Sequence, residues 1–531
     1  MKLLKFTMLS LFFLVTYTFQ SQNIGDFTSI DPNTVQSASF VLSSSHTFQK
    51  IAEVGDALTA GGTFKPKPDF TAYVPIANSS TNGYLSINSE GSALTDGGGG
   101  VMVFDINFNA TTELWETTAS EDLDFTAVGG TAANCSGAVT PWGTVITCEE
   151  GTIPDTFPPF DGYNDLGWNI EINPATKSVV AKHYAMGNFA HENVAIQTIN
   201  AIPTSRTVVY QGADSNPGYL YKYVATNFQD LSMGLLYVFK GSKNGTGSWI
   251  LLDNTTQSEQ NSTLTQSGAS GHDATVFAGI EDVEIGPDGM VYFAVKGEGT
   301  VYRFSDSDPL ETSASTVTME TFVGGGASYD INDGTSTTLV AWGNGNDNLA
   351  FDCDGNLWVF QDSGNSFIWV VKNGHTQASP DVEIFGKVPI GSEPTGITFT
   401  PDYKYLFMSI QHPDPGNAAN QVDAAGNTVD FDKGTSLVIA LSENLGSALS
   451  VEDENFDDGF TFYPNPIKSS KNLIIKGNQI NNIKLYAISG KKLLDVDYND
   501  LNEVTLNLKD IQSGLYLFKV NDKAASKLVI K

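Results

Sequence analysis

Ile285-Gly-Pro-Asp-Gly-Met-Val-Tyr-Phe-Ala294 is followed after a short loop by Gly299-Thr-Val-Tyr-Arg-Phe304. The Pro-Asp-Gly core favours a tight turn, because proline presets φ and glycine accepts the left-handed region. The apolar, aromatic runs on either side have the length and composition of β-strands. The unit recurs as Phe351-Asp-Cys-Asp-Gly-Asn-Leu-Trp-Val-Phe360 with Ser366-Phe-Ile-Trp-Val-Val371, and its first half returns as Phe399-Thr-Pro-Asp-Tyr-Lys-Tyr-Leu-Phe-Met408. Turn, strand, loop and aromatic strand in repetition are the sequence form of a propeller blade. An all-β propeller of about five to seven blades is expected, in keeping with the range of such folds. A β-sandwich is the alternative, and the repeated hairpins disfavour it.

Further short apolar runs extend this reading outward, among them Tyr84–Ile87, Val101–Phe104, Val145–Thr147, Val208–Tyr210 and Tyr219–Tyr223. Long inserts at Gly241–Thr275 and Gly324–Asn346 make the repeat irregular. Asn23–Lys50 is polar, Ser/Thr-rich and of uncertain order. Composition agrees with an all-β chain: charged residues are 17%, aromatics 11%, and there are 51 glycines among 531 residues. A hydrophobic share of 40% is enough for a packed core.

The formal charge is −32, from 60 acidic against 28 basic residues, which excludes nucleic acid and anionic membranes as partners. It suits a chain that gathers divalent cations on oxygen ligands, and equally one that must stay soluble in a salty exterior. Met1–Lys5 is basic, Phe6–Phe19 apolar and Gln20–Gln22 polar. That order predicts a signal peptide over residues 1–22, and no later stretch is apolar enough to span a bilayer. Residues 23–450 are expected to form the propeller and the acidic residues 451–459 a linker. Residues 460–531, more basic and strictly alternating, are expected to form a small β-sandwich. Cys135, Cys148 and Cys353 are an odd set in an exported chain. Cys135 and Cys148 could pair across a hairpin, or Cys135 could be a metal thiolate.

Strands of a propeller converge on a central channel, so polar residues at inner strand ends gather at one mouth. Glu90, Glu149-Glu150, His191-Glu192, Glu281-Asp282, Asp347, Asp362, Glu393 and His412 all stand at strand ends. Singly, each is more often a solvated loop residue or a structural histidine. As a set, hard carboxylates from many blades suit Ca²⁺, and a thiolate at Cys135 calls for a softer ion such as iron or zinc. Asp352-Cys-Asp-Gly-Asn356 lacks the later Glu of a calcium loop and reads as a turn.

Asn134-Cys-Ser-Gly-Ala-Val-Thr-Pro-Trp-Gly-Thr144 with Thr147-Cys-Glu-Glu150 resembles the signature of PhoX-type alkaline phosphatases. Asn188-Phe-Ala-His-Glu192, Gly279-Ile-Glu-Asp282, Gly355-Asn-Leu-Trp358 and Ile410-Gln-His-Pro413 follow in the family's order. The resemblance implies a six-bladed propeller that hydrolyses phosphomonoesters, with Ca²⁺ and Fe³⁺ at one mouth. It makes Cys135 the iron thiolate and Glu90, Glu192 and Glu281 carboxylate ligands, with Glu150, Asp362 and Glu393 beside them. Glu192 and Glu281 are also its expected catalytic residues. The family often carries Arg-Pro-Glu-Asp where this chain has Gly279-Ile-Glu-Asp282, and Gly279 cannot grip a phosphate as arginine does. Lys222, Lys296 or Arg303 could substitute. Competing readings are a non-catalytic calcium-binding surface propeller and a lactonase-like calcium hydrolase. In the tail, Tyr463-Pro-Asn-Pro466, Leu485-Tyr486, Gly514-Leu-Tyr516 and Lys527–Lys531 resemble the sorting domain of type IX secretion substrates of Bacteroidetes. This implies the type IX machinery as a partner, a small phosphorylated substrate as ligand, and a secreted or surface-attached protein.

Overall fold

The computed structural model describes residues 23–92, 98–197, 206–310, 315–446, 460–467, 471–487, 491–509, 511–512, 514–521 and 526–530. The expected signal peptide and the 451–459 linker lie outside the described residues. The chain divides into two compact units, Met1–Gly446 and Ser447–Lys531.

The first unit is built from antiparallel meanders in chain order. Pro68–Pro75, Asn82–Ser89, Gly100–Asn109 and Leu114–Asp122 form the first sheet, and Asn134–Val139, Val145–Glu149, Asn169–Asn173 and Ser178–Lys182 the second. His191–Ile196, Val208–Ala213, Leu220–Asn227 and Asp230–Gly241 follow, then Ile280–Ile285, Val291–Val295, Thr300–Asp306 and Thr316–Gly324. The insert strand Gly245–Leu251 pairs with the last strand of each of these two groups and joins them into one sheet. The next group is Asn346–Phe351, Leu357–Gln361, Phe367–Val371 and Val382–Lys387, with Val41–Leu42 on its edge. Glu393–Phe399, Tyr405–Gln411 and Thr435–Leu441 complete the series, and their fourth strand is His46–Glu53 from the N-terminal side.

The segment that the sequence leaves as an entry of uncertain order therefore closes the last sheet. Its polarity is misleading because Gln49 is buried and pairs with the backbone of Trp115 in both directions, at 2.7 and 2.9 Å. The first strands of successive groups touch one another, and Glu393–Phe399 returns to Pro68–Pro75, so they make a closed ring. The ring turns the free inner edge of each sheet toward the channel, so only short, protected edges remain, which is the propeller's solution to unpaired strand edges.

The core lies between sheets rather than inside any of them. Each pair of successive groups shares one apolar cluster. Tyr73 of the first group stacks on Phe407 of the last, with centroids 5.3 Å apart and planes within 2°. The Asp352–Asn356 stretch is a turn, as read: Asp352 accepts from the N–H of Asp354 and Asn356 and from the Trp358 indole.

The second unit is a hydrogen-bonded sheet of Phe460–Tyr463, Asn472–Ala487, Lys492–Asn507, Gly514–Val520 and Ser526–Ile530. Its long central pair breaks register at Lys476/Ile480 and again at Ile480/Asn482. Phe462, Leu473, Ile483 and Phe518 are buried in a core of its own. No helix among the described residues is long and apolar enough to cross a membrane.

Candidate metal centre

A repeated register builds the site. The second residue of five first strands is Asp69, Cys135, Glu192, Glu281 and Asp347, and the sixth first strand begins with Glu393. In those five strands the ladder slips directly after this point, between Pro68/Thr71, Asn134/Gly137, His191/Val194, Ile280/Val283 and Asn346/Leu349. A bulge bends the strand and re-aims a side chain, which here turns each of these residues into the mouth of the channel. A second tier comes from the end of each group's second strand. There stand Glu90, Glu150, Asp214, Lys296, Asp362 and His412.

A cavity of about 190 Å³ is lined by all six residues of the first tier and by every residue of the second except Asp214. Lys67, Thr395 and Gln411 complete its wall. Asp214 hydrogen-bonds Glu150 from the side. The seven residues expected as ligands from the sequence thus meet in one place. Asp69 and Asp214 were missed; each stands at the same strand register as the others, a signal visible only once the strands are aligned blade on blade. Glu149 points away, into a buried pair with Lys182 at 3.1 Å.

Among the described residues, three groups offer ligand atoms within 4.8 Å of one another: Cys135/Glu150/Glu192, Glu192/Glu281/Asp347 and Asp347/Asp362/Glu393. They overlap at Glu192 and Asp347, so the three form a row. The donors fit metal ions. Buried Asp69 Oδ1 lacks a hydrogen-bond partner, and buried Glu281 Oε1 has only the Lys296 ammonium 3.6 Å away, which is costly for carboxylates unless further cations lie beside them. The single thiol stands only at one end of the row, with oxygen donors elsewhere.

Electrostatics agree. Burial and then the neighbouring Glu281 and Glu150 raise Glu192 well above the usual carboxylate range. Burial, then Asp347 and Asp214, do the same to Glu281. Glu150 is pushed up to about 9, by burial and by Glu90. Glu393 is pushed up to about 8 by burial, against the pull of His412 at 2.8 Å. Burial and Glu192 also hold Cys135 protonated, and its Sγ donates to the His191 carbonyl at 3.1 Å. These groups keep protons because burial and crowded like charges outweigh the cations on the wall, Lys67, Lys296 and His412. Metal binding would replace the protons. All three cysteines are free; Cys148 donates to Asn169 Oδ1 at 3.1 Å and packs in the core.

Lys296 and His412 are the two basic residues of the second tier, and His412 is paired with Glu393. Lys296 Nζ lies 2.7 Å from Asp362, 3.4 Å from Asp347 and 3.6 Å from Glu281. Lys222 is buried against Asp306 at 2.7 Å, and Arg303 pairs with Glu320 at 2.6 Å; neither lines the cavity. Of the three cations considered for the place of the missing arginine, only Lys296 reaches the site. Gly279 has φ +79°, and a Cβ there would stand 2.7 Å from Asp214 Oδ1. The space beside it is filled by a carboxylate.

Residues 109–414 match the family model of alkaline phosphatase PhoX, and residues 461–531 match the secretion system C-terminal sorting domain. The structure of Pseudomonas fluorescens PhoX in complex with vanadate, a transition state analogue, superimposes with a TM-score of 0.62 at 20% identity, covering 80% of this chain and 99% of that one. Virginiamycin B lyase from Staphylococcus aureus, at a TM-score of 0.33 and 12% identity, covers 74% of this chain and 99% of its own. A putative gluconolactonase, at 0.32 and 10%, covers 77% and 97%. These two likenesses are too slight to carry an argument. No match to the sequences of curated proteins is found. The PhoX model covers more than half of the chain, and its ordered motifs supply the residues that meet in the cavity; the chain belongs to the PhoX alkaline phosphatase family.

Proposed function

We propose that this protein is a secreted, metal-dependent phosphatase that hydrolyses phosphomonoesters and releases phosphate. The observation that carries the reading is the row of three overlapping donor groups at the channel mouth of a PhoX-family chain. Cys135 with Glu150 and Glu192 suits iron, because a thiolate favours a softer ion. Glu192/Glu281/Asp347 and Asp347/Asp362/Glu393 are all-oxygen groups and suit Ca²⁺. A propeller of six blades is part of the proposal, supported by the ring of first strands. Residues 1–22 as a signal peptide, 451–459 as a linker and a tail handled by the type IX machinery complete it.

When bound, the ions would supply charge to polarise and neutralise phosphoryl oxygens. The chain's own residues do the rest. Glu192 and Asp347 each serve two groups and fix the spacing between them. Glu150 and Glu393 would lose their protons as the ions bind and hold the ions as carboxylates. Lys296 brings a positive charge to the wall formed by Glu281, Asp347 and Asp362. An ammonium there can donate to a phosphoryl oxygen as a point charge, without the two-pronged grip of arginine.

Metal-replete protein is expected to hydrolyse p-nitrophenyl phosphate at alkaline pH, to lose this with a chelator, and to regain it with added metal. No turnover by protein containing its full complement of metal would sink the reading and leave a calcium-binding propeller. Lys296→Met is expected to raise KM for the phosphomonoester more than it lowers kcat, since Lys296 is assigned to holding the substrate.

A further inference from the structure

The first strands that open into the metal cavity with their leading residues end at a second cavity on the other side. It has a volume of about 530 Å³ and is walled by the trailing halves of the same strands. Phe70 and Tyr73, Phe351, and Phe399 with Tyr403 bring five aromatic rings to it. The rings of Phe399 and Tyr403 lie 5.6 Å apart at its rim. The bulges that turn ligands toward one mouth leave the following residues, mostly apolar, facing the other.

Two carboxylates, Asp282 and Glu284, stand in this wall beside uncharged polar residues such as Ser136, Asn193 and Thr398. Glu284 lines the cavity, and the hydrogen bond that reaches it is the N–H of its own neighbour Ile285 at 3.1 Å. Asp282, deeper in the wall, is consumed by Asn193 and by the Leu349 N–H at 2.7 Å. Among the described residues, no lysine, arginine or histidine lines the cavity. Burial pushes Glu284 up to about 7, the behaviour of a carboxyl without a cation beside it. A carboxylate beside aromatic rings, with no lysine, arginine or histidine among the described lining residues, matches one ligand chemistry. Ring faces attract a cation through their quadrupoles, and the carboxylate adds a direct charge.

We propose that this funnel binds a small organic cation, an ammonium head on an apolar body. The volume falls within the range of small-molecule pockets, and a net charge of −32 favours arrival of a cation. The proposal stands apart from the phosphatase reading, because none of its residues lines the metal cavity.

The test is calorimetric titration of the full, calcium-loaded chain with benzyltrimethylammonium, with benzyl alcohol and benzoate as neutral and anionic counterparts. The cation is expected to bind, the alcohol and benzoate about tenfold more weakly or not at all. Glu284→Gln is expected to weaken the cation about tenfold and leave calcium content unchanged. Ala138→Trp, which fills the funnel, is expected to abolish binding, and it serves if Glu284→Gln fails to fold. No binding of the cation by the wild type overturns the proposal. So does cation binding that survives both substitutions, which would place it at the acidic metal mouth, and so does equal binding of all three probes, which would make the funnel a plain apolar cleft.

Discussion

Glu192→Gln tests the row of metal groups directly. Glu192 belongs to two of the three groups, whereas Glu393 belongs to one. Gln is the shape of a protonated Glu. Buried Glu192 is held in its protonated form when metal is absent, so the substitution should change the stability of the metal-free protein by no more than about 1 kcal/mol. The metal-loaded protein should respond very differently. An ion held at a hundredfold excess over its dissociation constant stabilises a fold by about 2.7 kcal/mol. Glu192→Gln should therefore remove about 5 kcal/mol of metal-dependent stabilisation and Glu393→Gln about 3 kcal/mol. At about 2 °C per kcal/mol for a large domain, the rise in Tm on metal loading should shrink by about 10 °C and about 5 °C respectively. Elemental analysis of the same samples should find twice as many ions lost from the first variant as from the second. Equal losses, or a full metal complement in Glu192→Gln, would refute the shared-ligand geometry.

Three other outcomes follow from the same geometry. Cys135→Ser removes the one soft donor in the row, so elemental analysis should show iron lost and calcium largely kept. In chelated protein, Glu150 and Glu393 carry folded pKa values of about 9 and about 8, above their ordinary value of 4.5. Between about pH 4.5 and 8 to 9 the folded chain binds more protons than the unfolded one, so stability should fall as pH rises and level off above; denaturant melts across this range should show the decline, and calcium should flatten it. Gly279→Ala places a Cβ at φ +79° against Asp214 Oδ1 and should cost about 1–2 kcal/mol in chemical denaturation, whereas Gly374→Ala, at φ +89° with open space, should cost only the backbone share of that.

Much of the site was legible before any fold was known, for a definable reason. The ligands recur at one register of a repeating unit, so Glu192, Glu281, Glu393 and Asp362 announced themselves as charges at the ends of apolar strands. Asp69 did not, because it follows Lys-Pro-Lys-Pro and looks like loop. Asp214 did not, because Gly212-Ala213 hides the end of its strand. His46–Glu53 was not read as a strand at all. Its buried Gln49 is neutralised by a backbone sixty-six residues away, and no local pattern reports that bond. The sorting tail was legible through its motifs, whereas the bends in its long central pair appear only in the register.

The sequence by itself determined the propeller class, the family and most of the residues that come together, because turn chemistry, apolar alternation and motif order are local properties. Tertiary structure alone decided what those residues do to one another. Cys135 and Glu281 lie 146 positions apart in the chain, and only the side-by-side packing of three successive first strands makes Glu192 their common neighbour. Lys296, Lys222 and Arg303 are alike as letters. Burial against Asp306 removes the second from the site and pairing with Glu320 removes the third, so that of these three only Lys296 stands beside the carboxylates, on the wall that Lys67 and His412 share. Charge interactions fall off with distance through space and depend on the medium between, and neither distance nor medium is written along the chain.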